Sequence, residues 1–231
     1  MSFRWTDFDA YLFDIDGTLL NTRDLVHYDA LNAAMHEAYG VNTTIDGIQY
    51  HGKTDLGILR AALERAGIND ATFTSNLPAA LNAVRRNVSE NSSALSPEVC
   101  CSIATVLDHL KQADKLLGVA SGNLESVGWH KIAAAGLRDY FTFGCFSDNH
   151  ETRAAIFGNG VAEARRRLGA NATVCFIGDT PEDIRAAHRA GAAVIAVCTG
   201  VFEQAELSSL HPDLCVNSCS ELLELTTSSH H

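Results

Sequence analysis

Two carboxylates follow directly on a short apolar run near the start of the chain. Asp14 and Asp16 are one residue apart and come after Tyr11–Phe13 in the stretch YLFDIDGTLLN. Burying an unpaired charge beside apolar residues is costly, so such a pair normally has a partner or a chemical task. Alternate residues of a strand face the same side, and this spacing therefore brings both acids together at the strand end.

Two further polar groups each follow an apolar run later in the chain. They are Ser121, Gly122 and Asn123 after LLGVA, and Gly178, Asp179 and Asp183 after TVCFI. Ligands of an open parallel sheet bind beyond the carboxyl ends of its strands, so we expect these groups to meet there. Carboxylates gathered in one place repel one another unless a cation joins them, and hard oxygen ligands suit Mg²⁺. The sequence therefore predicts a Mg²⁺ site that is also a reaction centre.

The same groups suggest chemistry on phosphorus. Gly17 permits a turn after the first strand, so Asp14 could attack a phosphorus atom while Asp16 reaches the leaving oxygen. Hydroxyl, amide and backbone N–H donors are then needed for the phosphoryl oxygens. The predicted donors and contacts at the strand ends are Gly17, Thr18, Ser121, Gly122 and Asn123.

The elements that must position these residues follow an alternating pattern. Short apolar runs at 10–13, 116–120, 173–177, 193–197 and 214–216 alternate with helical stretches at 125–135, 153–168 and 181–190. This alternation is typical of βαβ units around a parallel sheet that is buried on both faces. We therefore predict an α/β fold with a Rossmann-like, doubly wound parallel sheet as its core.

One region interrupts the alternation. Residues 21–97 contain no strand-like run but show helical periodicity at 24–39, 55–66 and 71–89. The interruption predicts an α-helical cap domain over residues 21–97, inserted into a core domain of residues 1–20 and 98–227. The last residues, 228–231, resemble a tail and are left out of the fold prediction.

The composition of the chain argues against two classes of binding partner. The 231 residues are 46% hydrophobic and carry a formal net charge of −11, which argues against nucleic acid or an anionic membrane. No apolar run reaches the ~18 residues needed to span a bilayer, and the start has no signal-peptide pattern. Seven cysteines without a disulfide framework fit a reducing compartment, so we expect a cytoplasmic monomer or homodimer.

Three motifs in order, each after its own strand, resemble those of the haloacid dehalogenase superfamily of aspartate-nucleophile hydrolases. They are DIDGTL, SGN and GDTPED, and the resemblance covers residues 8–20 and about 98–225. The helical insert is similar to the cap of the phosphoglycolate-phosphatase-like branch. The resemblance implies a Mg²⁺-dependent phosphatase that acts on a small phosphorylated metabolite.

The resemblance also implies roles for individual residues. Asp14 would be the nucleophile that forms an aspartyl-phosphate, and Asp16 would be the general acid and then the base. Ser121 would bind the transferring phosphoryl group. Mg²⁺ would be held by the side chains of Asp14, Asp179 and Asp183, with the backbone carbonyl of Asp16.

The third motif of the family departs from its usual form. A lysine normally lies between the second and fourth motifs, but Lys131 is the only lysine there and falls within a helical stretch, where we expect a solvated position. Arg153, at the start of the next helix, is the better candidate, because arginine stays charged and binds phosphate through two N–H groups. We therefore predict that Arg153 replaces the lysine.

The cap offers one further candidate. His51-Gly52-Lys53 interrupts two helical stretches and resembles the cap loop that closes on substrate in this branch. Lys53 would add positive charge against a phosphorylated substrate, although the segment also reads as a simple helix-start loop.

The same residues are compatible to different degrees with four other functions. A phosphomutase of the β-phosphoglucomutase type stays open, although its cap signature is absent. A haloacid dehalogenase would lack the second acid, and a phosphonoacetaldehyde hydrolase, with Lys53 as its Schiff-base lysine, departs from aspartate at the position of Asp16. A catalytically inactive regulator that binds phosphorylated ligands is supported only by the altered third motif.

Overall fold

The computed structural model describes the backbone of residues 3–228 and the side chains of residues 3–226. The tail-like segment 228–231 therefore lies outside the described residues except for the backbone of Ser228. None of the helices in the described part of the chain is long and apolar enough to cross a membrane.

A six-stranded parallel sheet forms the centre of the molecule. The strands in chain order are β1 (Ala10–Phe13), β2 (Leu20–Thr22), β3 (Pro97–Val99), β4 (Leu116–Ala120), β5 (Phe143–Cys145), β6 (Val174–Gly178), β7 (Ala193–Val197) and β8 (Leu214–Val216). The spatial order of the sheet is β5-β4-β1-β6-β7-β8, and every pair in it is parallel. The predicted doubly wound α/β fold is confirmed.

The order of the strands places a crevice next to β1. From β1 the chain moves outward to β4 and β5, and it then returns to β6 on the other side of β1. Loops that leave neighbouring strands in opposite directions open a crevice at this reversal, where ligands of doubly wound sheets bind. The three motifs follow β1, β4 and β6, which are the strands around the reversal.

Helices cover both faces of the sheet. The helices of the described residues are α1 (Val26–Tyr39), α2 (Asp55–Arg65), α3 (Asp70–Glu90), α4 (Ile103–Gln112), α5 (Glu125–Ala134), α6 (Arg153–Leu168), α7 (Pro181–Arg189), α8 (Gln204–Ser208) and α9 (Cys219–Ser228). One apolar cluster joins β1 to α4, α5 and α9, and a second joins the opposite face to α6 and α7. All four β1 residues are fully buried, so this strand is the centre of the core.

The helices α1–α3 have an apolar cluster of their own. Its fully buried members include Met35, Leu59 and Leu63, and it reaches the core only through Leu124 and Val127 at the start of α5. This arrangement is what a separate cap domain requires. The division at residues 21–97 remains a prediction, which this cluster supports.

The link between the cap helices and the sheet differs from the sequence-based expectation. No strand was expected between residues 21 and 97, but β2 and β3 pair antiparallel across the two ends of the insert, with Leu20 opposite Val99. Each strand has only three residues, and the pairing joins residues almost 80 positions apart. Local periodicity cannot reveal such a short, non-local ribbon.

Candidate active site

The turn after β1 holds Asp14 at the carboxyl edge of the sheet. Asp14 is 2% exposed, and its backbone N–H donates to the carbonyl of Ile177 on β6 at 3.0 Å. Gly17 has a φ of 86°, and a Cβ atom there would lie 2.2 Å from Oδ2 of Asp179. A side chain at position 17 would therefore be strained and would displace Asp179.

Three buried carboxylates meet at this edge. Asp14, Asp179 and Asp183 each offer an oxygen, and these oxygens all lie within 4.8 Å of one another. Thr18 orients Asp179, because its Oγ1 donates to Oδ1 of that residue at 2.8 Å. Asp183 is oriented by the capping box at the start of α7, where Thr180 N–H donates to its Oδ2 at 3.0 Å.

Arg153 enters the acidic cluster from the first residue of α6. Its Nη1 lies 2.9 Å from Oδ2 of Asp14 and also contacts Oδ1 of Asp183. Its Nε donates to the carbonyl of Gly52 in the cap loop at 3.2 Å. The structure therefore brings Arg153 into the site, at 7% exposure, and connects it to both the core and the cap.

The pKa values of the cluster reflect burial and mutual repulsion. Burial raises the pKa of Asp14 to about 6; Arg153 opposes the rise, whereas Asp183 and Asp16 add to it. Burial also raises the pKa of Asp179 well above its usual value, and the charges of Asp14 and Asp183 contribute. Burial alone would lower the pKa of Arg153, but Asp14 and Asp183 outweigh it and raise that pKa.

The donor set fits a divalent cation. Oδ1 of Asp14 is buried and has no hydrogen-bond partner among the described residues, which is costly unless a cation or ligand meets it. Three carboxylates and the single guanidinium of Arg153 leave two negative charges, the number that one Mg²⁺ neutralises. Oxygen ligands of this kind are those that Mg²⁺ prefers.

Asp16 points away from the acidic cluster, and its surroundings correct one prediction. Nζ of Lys131 lies 2.9 Å from both carboxylate oxygens of Asp16 and 2.9 Å from Oδ1 of Asn123. Lys131 is 3% exposed, so the expected solvated position was wrong. Helical periodicity predicts that a charged side chain faces water, and it does not reveal a carboxylate supplied by another element.

The charge of Lys131 also determines the protonation of Asp16. Desolvation by the cavity walls would raise the pKa of Asp16, but the ammonium of Lys131 and hydrogen bonds from Asn123 and Lys131 outweigh it. The pKa of Asp16 is therefore held below its usual value. Its side chain is 43% exposed, toward the cavity that it lines.

The three residues that follow β4 differ in whether they line the cavity. Asn123 lines the cavity, and its Nδ2 donates to Oδ2 of Asp16 at 2.8 Å and to Oγ of Ser121 at 2.9 Å. Ser121 is buried and is not among the cavity-lining residues, and neither is Thr18, whose hydroxyl is committed to Asp179. Gly122 lines the cavity and contacts the cap loop.

A cavity of about 450 Å³ lies between the acidic edge and the cap helices. Asp14, Asp16, Lys131 and Arg153 line one side of it. Lys53 lines the cap side, is exposed, and has no side-chain hydrogen bond or ion pair described. The predicted cap-loop contact therefore reaches the cavity, next to residues of the core.

Two residues after β7 were not foreseen from the sequence. Thr199 Oγ1 donates to the carbonyl of Gly17 at 2.5 Å, and a Cβ atom at Gly200 would lie 1.9 Å from Oδ2 of Asp179. Both residues therefore lie beside the turn after β1 and the Asp179 carboxylate. The signal was available, because a threonine and a glycine follow the apolar run AVIAV one residue after the strand ends.

The parallel sheet with a reversal of strand order beside β1, and the buried acidic cluster at that reversal, are the fold and candidate active site of an α/β enzyme. A model of the family described as haloacid dehalogenase-like hydrolase matches residues 11–197, and the chain belongs to this family. The predictions of family and of hydrolase class are confirmed.

Named relatives span nearly the whole chain. One is PpaX of Clostridium perfringens, named as a pyrophosphatase, which is 27% identical over 221 residues and aligns with 94% of this chain and 96% of its own. Another is the phosphoglycolate phosphatase of Synechococcus elongatus, 25% identical over 227 residues, with 94% of this chain and 97% of that protein covered.

Solved structures share the fold. CbbY from Rhodobacter sphaeroides, solved in complex with phosphate, superposes with a TM-score of 0.69 at 19% identity, covering 93% of this chain and 96% of CbbY. At this identity the likeness supports the fold alone.

Proposed function

We propose that the protein is a Mg²⁺-dependent phosphatase that hydrolyses a small phosphomonoester through an aspartyl-phosphate on Asp14. The observation that carries the proposal is the environment of Asp14. This buried carboxylate lies at a cavity wall, with one oxygen paired to Arg153 and the other without a hydrogen-bond partner in the described part of the chain. Relatives named as phosphatases, and a structural neighbour that holds phosphate, support phosphate as the group transferred.

Each chemical step uses groups at the carboxyl edge of the sheet. A carboxylate oxygen of Asp14 forms a bond to phosphorus while the bond from phosphorus to the leaving oxygen breaks. Asp16 is ionised in the free site because its pKa is held below its usual value, so it must take up a proton from solvent as substrate binds. It then donates that proton to the leaving oxygen. Water then attacks phosphorus, Asp16 accepts a proton from it, and the bond between phosphorus and Asp14 breaks, which releases inorganic phosphate and restores both acids.

Positive charge at the phosphoryl group comes from two sources. Asp14, Asp179 and Asp183 would hold Mg²⁺, with the backbone carbonyl of Asp16, and the ion would neutralise charge on the phosphoryl oxygens. Arg153 uses Nη1 and Nε for Asp14, Asp183 and Gly52, which leaves Nη2 for a phosphoryl oxygen. Arg153 would thus perform the role of the lysine in the family's third motif.

The donors after β4 complete the site. The hydroxyl of Ser121 and the backbone N–H of Gly122 follow a strand end beside Asp14, where they would orient phosphoryl oxygens. The backbone N–H of Ser121 donates to the carbonyl of Cys145, and the side chain of Asn123 is held by Asp16, Ser121 and Lys131. Thr18 acts on Asp179 instead of the substrate, since its hydroxyl donates to that residue. Gly17 lines the cavity and, having no side chain, leaves the space that Asp179 occupies. Lys53 would attract the anionic substrate from the cap side.

The state of the cysteines bears on the compartment in which the protein works. All seven cysteines lie within the described residues and are free, which supports the predicted reducing, cytoplasmic location.

The test is hydrolysis of p-nitrophenyl phosphate by wild type and Asp14→Asn, with Mg²⁺ and with EDTA. We expect turnover by wild type only with Mg²⁺ and a loss of at least about 1,000-fold in Asp14→Asn, because the nucleophile is gone. Equal rates for the two proteins would reject Asp14 as nucleophile. Wild type that is inert toward aryl and alkyl phosphates, yet binds phosphate, would favour the phospho-ligand regulator instead.

A further inference from the structure

A buried lysine that no family motif accounts for contacts the proposed proton donor. Lys131 lies on the inner face of α5, one turn after Val127, and is 3% exposed. Burying an ammonium group is unfavourable unless partners replace the water that it loses. The partners come from the loops after β1 and β4, and they are Asp16 and Asn123.

All three ammonium protons of Lys131 are used by these contacts. Two go to the oxygens of Asp16 and one to Oδ1 of Asn123, each at 2.9 Å. A lysine has three donors and no acceptor, so this ammonium has no proton left for a phosphoryl oxygen. Lys131 therefore differs from Arg153, which contacts the proposed nucleophile Asp14 and keeps its Nη2 group available for a phosphoryl oxygen.

The amide of Asn123 completes a frame around Asp16. It donates from Nδ2 to Oδ2 of Asp16 at 2.8 Å and to Oγ of Ser121 at 2.9 Å, while its Oδ1 accepts from Lys131. The carboxyl is thus held from two directions, and its remaining exposed surface faces the cavity. A single orientation of Asp16 is favoured by this frame, whereas an aspartate on a turn would otherwise sample several rotamers.

We propose that Lys131 is a positioning residue that acts through Asp16. It fixes the Asp16 carboxyl where the leaving oxygen of the ester departs, and it does not bind the phosphoryl group. The inference rests on the proposed phosphatase function, in which Asp16 transfers the proton to that oxygen. A misplaced proton donor costs rate with little effect on substrate binding, because the donor acts as the bond breaks.

The first test compares Lys131→Met with wild type on two kinds of ester. On an alkyl phosphate such as glycerol phosphate, we expect kcat to fall by about 100-fold while KM changes by less than about threefold. On p-nitrophenyl phosphate, the single-turnover release of nitrophenol should fall by less than about fivefold, since that leaving group needs little protonation. Lys111→Met, at an exposed lysine of α4, is the matched control and should behave as wild type.

The second test removes both members of the pair. Asp16→Asn with Lys131→Met leaves no unpaired charge, so it keeps the comparison possible even if Lys131→Met alone fails to fold. Single-turnover rates of the double variant should equal those of Asp16→Asn within about twofold, because Lys131 has nothing left to position.

Three results would overturn the inference. One is equal loss on both esters, another is a raised KM with kcat unchanged, and the third is a further large loss in the double variant. Each would assign Lys131 to binding phosphate. All three are measured against active wild type, so they leave the proposed function intact; a wild type without Mg²⁺-dependent turnover would instead reject the proposed function, and this inference with it.

Discussion

The two buried cations of the site form ion pairs with different carboxylates. Arg153 pairs with Asp14 and Asp183 in the acidic cluster, whereas Lys131 pairs with Asp16. The division separates a group suited to the phosphoryl oxygens from one suited to the leaving oxygen. The pKa values of the metal-free site run opposite to these roles, because the pKa of Asp14 is raised and that of Asp16 is lowered. A cation beside Asp14 would lower the pKa of that carboxyl and favour its ionised form.

The raised pKa of Asp14 predicts how the stability of the metal-free protein depends on pH. The unfolded carboxyl has its usual pKa of 3.8 and the folded one a pKa of about 6, so the folded state binds this proton more tightly. Stability therefore falls as pH rises from about 4 through about 6, by up to about 3 kcal/mol for a shift of about two units. Urea unfolding in EDTA at pH 5 and pH 7.5 measures it.

Asp14→Asn is the control for that pH dependence. It removes one titrating group while Arg153 keeps Asp183 as a partner, so the variant should lose the part of the decline that Asp14 contributes and be more stable than wild type at pH 7.5. A smaller decline should remain, because the pKa of Asp179 is raised as well. Mg²⁺ should raise the melting temperature of wild type more than that of the variant. Identical pH profiles for the two proteins would contradict this account of Asp14.

Arg153 supports a prediction with a graded series. Arg153→Ala should lower kcat/KM for p-nitrophenyl phosphate by about 100-fold, since a buried charge aimed at the phosphoryl group is lost. Arg153→Lys should recover part of that, to within about tenfold of wild type, because a lysine restores the charge but not the planar fork. Steady-state kinetics at saturating Mg²⁺ measure both, and an Arg153→Ala protein as active as wild type would remove Arg153 from the mechanism.

The elements meet at a tight contact between the cap loop and the loop after β4. Asp55 N–H donates to the carbonyl of Gly122 at 2.8 Å, and a Cβ atom on Gly122 would lie 2.3 Å from the carbonyl oxygen of Lys53. Asp55 also accepts from the backbone N–H of Leu124 at 2.8 Å. The atoms that a side chain at position 122 would meet are backbone atoms, which cannot move aside as a flexible side chain can. Glycine at position 122 therefore allows the cap loop to lie close to the site.

Gly122→Ala tests this closure. The added methyl group should hold the cap loop away, raise KM and lower kcat/KM by about tenfold, because Lys53 and the cap wall no longer meet the substrate. Gly158→Ala is the matched control: apart from its chain neighbours and the backbone of α6, no described atom lies within 4 Å of its Cβ position, so activity should not change. Unchanged kinetics in Gly122→Ala would show that the approach of the cap is not needed for turnover.

The elements also show what the sequence could predict. The strands of the central sheet are continuous apolar runs, and β1, β4, β7 and β8 have the predicted bounds. The strand β5 was not among the predicted runs, because Phe143–Cys145 has a glycine at its centre and only two apolar side chains. Arg153 was foreseen because it begins a helix at the place where the resembling family carries its third-motif lysine, whereas the buried position of Lys131 depends on a partner 115 residues away in the chain.

Charge acts on the scale of the whole molecule. The net charge of −11 repels a phosphate dianion, while the cations at the cavity attract it only at short range. Screening shortens the repulsion, since the Debye length falls from ~30 Å at 0.01 M to ~8 Å at 0.15 M ionic strength.

The expected result is a kcat/KM that rises about two- to fivefold between those ionic strengths, with Mg²⁺ held constant and saturating. The control is kcat measured over the same ionic strengths. It should change little, because kcat describes substrate that is already bound in the cavity. A kcat/KM that falls steadily with salt would mean that the local cations dominate the approach of substrate.

Covalent trapping of the phosphoryl group tests the central claim most directly. Asp16→Asn slows the attack of water but keeps Asp14, so mixing it with p-nitrophenyl phosphate and Mg²⁺ and quenching in acid should accumulate the intermediate. We predict that mass spectrometry finds one added phosphoryl group on the peptide that contains Asp14, and none when Asp14→Asn is added to the variant. Nitrophenol release by the variant without any phosphoryl group on that peptide would contradict the account.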